Sequence, residues 1–130
     1  MITFKMVSII TAVIAFTLCG VLILTPEILF MLFSIDENSS AFFMGRRAAM
    51  LFFGISVLTW VGRNAEHSDS RQAVCLSLSV SMFALSFLGV AEYLRGYTGI
   101  GILLAVMTEV VLALLYFKIW FSYKNAQQGL

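Results

Sequence analysis

The stretch FFMGRRAAMLFFGISVLTW, residues 42–60, combines two properties that seldom share a segment. Apart from Arg46 and Arg47 it is apolar or small enough for hydrocarbon. A membrane boundary placed after the arginines, at Ala48, would leave about 15 residues, or roughly 22 Å of helix, too short for an ordinary span. The two cations therefore fall inside an apolar run and need an explanation there.

Working outward, three more runs have the same character. Together the four cover about residues 2–24, 41–62, 73–94 and 100–121. Each is near the roughly 20 residues that an α-helix needs to cross about 30 Å of hydrocarbon. Lone strands in lipid would leave backbone groups unpaired, and the alternation of a barrel is absent, so the spans are helical. The composition agrees. Of 130 residues 61% are hydrophobic and 12% charged, with a mean hydropathy of +0.98. A soluble domain carries about 25% charged residues. The net charge of +1 supplies no basic stripe for nucleic acid. The expected fold is all-α: a single transmembrane domain over 1–130, a four-helix up-and-down bundle with the lipid bilayer as its main partner.

The first run carries Lys5 and an apolar core, as a signal peptide does. It is longer than a typical h-region and lacks a small-x-small site, so it is read as an uncut helix. After it, TPEILFMLFSIDENSS (25–40) departs from a simple turn. Thr25 can cap, Pro26 suits a first helical position, and Glu27 meets the positive end of the dipole. Ile28–Ile35 is too short to cross again, which predicts a short interfacial helix after helix one. Ser40 is the expected cap of the next span. In GRNAEHSDSRQ (62–72), Glu66, His67 and Asp69 read as solvated loop residues and not as a metal site. YLRGYTG (93–99) is a tight turn built on Gly96 and Gly99. Lys5, Arg63, Arg71, Lys118 and Lys124 fall on one side and Arg46, Arg47 and Arg95 on the other, five against three. The positive-inside rule then puts both termini in the cytoplasm, in a multi-pass protein of the cell inner membrane.

Glu109 is the sharper anomaly, lying mid-run in GIGILLAVMTEVVLALLYF (99–117). An unpaired ionised acid near the bilayer centre costs at least a few kcal/mol, and glutamate is too short to reach the interface. Counted from the outer face at about 1.5 Å per residue, Glu109 lies about 13 Å deep and the arginines about 8 to 9 Å. A pair between Arg46 or Arg47 and Glu109 is the simplest solution by depth. Glu92 and Glu27 fall on the same side, so Arg46, Arg47, Glu109, Glu92 and Glu27 form the candidate ligand-binding or ion-pair cluster. Such a cluster can be a polar cavity or a structural network that holds register. Ala41, Gly45 and Ala49 form a small-xxx-small packing face, and the serines of CLSLSVSMFALSFLG (75–89) can bond to their own helix. Cys19 and Cys75 fall at opposite ends of the bundle, beyond disulfide reach.

The pattern TPEILFMLF, FFMGRRAAMLFFG and TWVGR over about residues 24–63 resembles small bacterial four-helix membrane proteins, broadly the DoxX-like group in size and layout. The resemblance implies a bundle in a bacterial cytoplasmic membrane and no particular activity. No catalytic residue set, cofactor site or metal site is expected. Two function classes lead, ahead of an intramembrane enzyme for which only Glu109, Glu92 and nearby tyrosines could supply acid–base chemistry. One is binding or conduction of a small polar or anionic solute through the Arg/Glu cluster. The other is an accessory or scaffold subunit, with a second copy or another membrane protein as partner.

Overall fold

The structure, a computed structural model, describes residues 1–129. Five helices account for most of them: α1 (Phe4–Leu24), α2 (Pro26–Phe33), α3 (Ser39–Gly62), α4 (Asp69–Leu94) and α5 (Ile102–Gln128). The described residues hold no strand. α1, α3, α4 and α5 are each long and apolar enough to cross a membrane. At eight residues α2 is not.

The helices overrun the apolar segments where polar caps permit it. Asn38, not Ser40, caps α3, its side chain accepting from the Ala41 N–H at 2.9 Å. α4 begins one turn before its apolar run because Ser68 accepts from the Arg71 N–H at 3.2 Å. α5 continues beyond Phe121 through a polar last turn. Apolarity marks what lipid can hold; the cap decides where the helix starts.

Contacts establish the topology. α3 runs back along α1: Ala12 meets Ser56 at one end, and Leu22 packs against Ala49 at the other. α5 runs back along α4, with Ser79 opposite Ala113 and Gly89 opposite Val106. α1 meets α5 antiparallel, Thr11 facing Tyr116. The result is an up-and-down bundle of two hairpins, α1/α3 and α4/α5. Phe4, Arg63, Arg71 and Lys118 lie at one end, which we call the terminal end. α2 and the α4–α5 turn lie at the other, the α2 end.

Small residues set the helix separations. Ala49 and Ala113 are fully buried, whereas Gly45 faces Leu22 and the Phe30 ring with room for a Cβ in ordinary contact. The serines do more than bond to their own helices. Ser56 donates across to the Ala12 carbonyl at 3.0 Å and Ser79 to the Ala113 carbonyl at 2.9 Å. Each joins the two helices of a hairpin, whereas Ser77 and Ser81 on the other face of α4 are exposed.

α2 reaches the opposite hairpin. It ends in a Schellman motif: Ser34 adopts φ 54°, Ile35 N–H reaches the Phe30 carbonyl at 2.8 Å, and Ser34 N–H the Met31 carbonyl at 3.2 Å. The freed Phe33 carbonyl accepts from the Gly99 N–H at 2.7 Å. α4 ends in the same motif, with Gly96 at φ 78° and bonds from Tyr97 to Glu92 and Gly96 to Tyr93. The α4–α5 turn then passes under the end of α2 so closely that a Cβ on Gly101 would collide with the Leu32 carbonyl.

Gly101→Ala should therefore lower the thermal midpoint in detergent by several degrees. Gly20→Ala, where nothing lies within 4 Å of the added carbon, should be neutral or stabilising by up to about 1 kcal/mol. Equal midpoints for the two variants would mean that α2 does not dock on this turn.

Candidate functional site: an apolar cavity under α2

The hairpins close unevenly. Toward the terminal end Phe4 and Val7 of α1 pack with Cys75, Leu78 and Met82 of α4 and with Leu112, Ala113 and Tyr116 of α5. At the floor of the opening above them, the Tyr116 hydroxyl donates to Thr11 Oγ1 at 2.8 Å. The Thr11 hydroxyl in turn donates to the Val7 carbonyl at 2.8 Å. Tyr116 is fully buried and Thr11 nearly so, and this relay satisfies both hydroxyls with no water. Cys19 and Cys75 are both free and buried.

Above that floor, toward the α2 end, the helices enclose a cavity of about 200 Å³. Ile14 and Leu18 of α1, Phe52 and Ile55 of α3, and Met82 and Leu85 of α4 supply walls. Leu104, Thr108, Glu109 and Leu112 of α5 complete them. Leu29, Leu32 and Phe33 of α2 form the roof. The Thr108 hydroxyl is occupied by the Leu104 carbonyl at 3.1 Å. Among the described residues that line the cavity, Glu109 is the one ionisable side chain.

The five residues expected to cluster are not all brought together. Glu109 is half-buried and lines the cavity. Arg46, Arg47, Glu92 and Glu27 are not among its lining residues. Arg46 and Arg47 are exposed on α3, as is Glu27 on α2, and Glu92 is half-buried near the end of α4. The Arg47 guanidinium lies over the Phe43 ring, 5.7 Å from its centroid, one turn nearer the α2 end. The depths expected of arginines and acid were compatible. The rotation was not: α3 packs mainly on α1 and presents the arginines outward, while α5 presents Glu109 inward.

Two contributors to the site escaped the sequence reading. The residues of α2 that roof the cavity sit in a short apolar stretch whose spacing alone does not say which helices they meet. Tyr116 sits well inside the last apolar run, unlike tyrosines at the headgroup level; that position was the available signal for its buried bond to Thr11. Compared with models of known families, with curated proteins and with solved structures, the chain matches none.

Removing the relay tests the floor of the cavity. Tyr116→Phe should destabilise the protein by about 0.6 to 1 kcal/mol, the usual worth of a buried hydrogen bond between membrane helices. In a double-mutant cycle with Thr11→Val, the second change should add little once the first is made. Fully additive losses would show that the two hydroxyls do not interact.

Proposed function

We propose that this is a small multi-pass membrane protein whose cavity under α2 binds a small, largely apolar molecule carrying one polar group. The observation that carries this reading is a lone carboxylate, Glu109, set into apolar walls. At about 200 Å³, the space somewhat exceeds the roughly 150 Å³ apolar cavity that accepts benzene. An acid in such surroundings needs a donor or a counter-cation. A ligand amine or hydroxyl fits that need, and an anion does not. The anionic solute expected from Arg46 and Arg47 is thus replaced here by a neutral or cationic amphiphile.

The Lys and Arg distribution supports a terminal end in the cytoplasm of a bacterial inner membrane. The cavity then opens in the outer half of the bilayer, with α2 lying at the outer interface as its roof. The arginines, pointing away from the bundle, reach back toward outer headgroups. Arg47 over Phe43 has that direction, since helical side chains lean toward the N-terminus and long cations extend to the interface. The likeness to the DoxX-like group supports the bundle and the membrane, and adds no substrate.

Benzylamine and benzoate make a matched pair of probes of suitable size. Benzylamine should raise the thermal midpoint of the detergent-solubilised protein and benzoate should not. Glu109→Gln should remain folded and lose the benzylamine response. If both probes act alike, or the variant responds as wild type does, Glu109 is not a ligand anchor.

A second reading, that of an accessory subunit, is favoured by α3. It is the least buried of the four long helices and shows Met44, Arg46, Arg47, Met50 and Leu51 to its surroundings. A partner helix with a carboxylate at the same depth would neutralise the pair. A photo-crosslinker at position 50 in native membranes should then capture a second copy or another membrane protein. Adducts to lipid alone would count against it.

A further inference from the structure

The terminal end holds a second and larger cavity, about 860 Å³. Lys5, Arg63, Arg71 and Lys118 line it, together with His67. Among the described residues that line it there is no carboxylate. Among the described residues, four cationic side chains share one concavity with no internal counter-charge. Glu66 and Asp69, the nearest acids in sequence, are exposed and line no part of it.

The two arginines are held, not merely collected. The Arg71 guanidinium stacks over Phe4 at 4.6 Å and donates from one terminal nitrogen to the Ala65 carbonyl at 3.2 Å. Its Nε is buried, and the Cys75 thiol lies beside the guanidinium. Arg63 is fixed in a similar way, stacked over Trp60 at 4.3 Å and bonded to the Trp60 carbonyl. His67 stacks on Tyr123 at 5.0 Å, which closes one side. Ile2, Leu115 and Ile119 line the same cavity, and the latter two continue into the long apolar face of α5. A ligand here meets charge at one end and hydrocarbon at the other.

We propose that this cavity is a binding site for a phosphate oxyanion, and that the geometry favours the headgroup of an anionic phospholipid over a free phosphate compound. Arg71, Arg63, Lys5 and Lys118 line the cavity, supply its donors and neutralise the charge. Leu115 and Ile119 receive the start of an acyl chain. The proposal rests on the membrane-spanning reading but is independent of what occupies the cavity beside Glu109. Resistance of the protein to alkaline extraction from membranes tests that reading separately.

The experiment is native mass spectrometry of the full chain in a neutral detergent. The protein would be titrated with phosphatidylglycerol, phosphatidylcholine or inorganic phosphate. One phosphatidylglycerol per chain should be retained, well ahead of phosphatidylcholine. The Arg71→Gln/Lys118→Gln double variant should bind it about tenfold more weakly, since each basic residue near a lipid surface is worth several-fold. Lys118→Gln alone guards against misfolding of the double variant and should show part of that loss. Lys124→Gln removes a charge at the same end from a side chain that stacks over Trp120 and does not line the cavity. It should bind as wild type does. Competition by inorganic phosphate at similar concentration would keep the oxyanion site and assign it to a free phosphate compound. Equal retention of the two lipids without phosphate binding would overturn the proposal. So would equal losses in the Lys118 and Lys124 variants, because they would indicate a diffuse field instead of a site.

Discussion

The hydrogen bond between Tyr116 and Thr11 is the contact around which the bundle is organised. The α1/α3 and α4/α5 hairpins are each well packed internally, yet they meet over a limited area, chiefly through α1 and α5. A buried tyrosine hydroxyl in an apolar bundle must find a partner. Thr11 provides one only when α1 and α5 stand at a particular height and rotation. That bond fixes the register between hairpins, and the packing of Val7, Cys75, Leu112 and Ala113 follows from it.

The same register accounts for the opening above. Toward the α2 end the hairpins leave a cavity of about 200 Å³ that their own side chains do not fill. α2 covers the gap instead of filling it. Its roofing residues hang from two Schellman turns and from the close passage of Leu32 over Gly101. Gly99 and Gly101 are therefore part of the cavity although neither lines it. The protein thus places one acid in an apolar chamber near one end and four cations in a concavity at the other. Opposite charges at opposite ends suit different ligand chemistries, and neither arrangement depends on the other.

Much of the architecture was legible before any coordinates. Four apolar runs of spanning length, Pro26 after Thr25, and Gly96 in the turn before α5 were enough for the helices and their order. Short connections then leave little choice but an up-and-down arrangement. Helix ends were less legible, because Asn38 and Ser68 extend α3 and α4 into polar sequence. The candidate site was legible only in part. Glu109 stands out in any hydropathy profile. Arg46 and Arg47 stand out equally, yet depth along a helix says nothing of the direction a side chain faces.

What the amino-acid sequence determined by itself is the presence and order of four helices long and apolar enough to cross a membrane. Those follow from local composition, because each helix in lipid must satisfy its own backbone. The tertiary structure alone decided which charged residues face inward. Neighbouring positions on a helix point about 100° apart, and which of them looks into the bundle depends on contacts between residues distant in sequence. Here Thr11 with Tyr116, Ala49 with Leu22, and Leu32 with Gly101 turn Glu109 in and the arginine pair out.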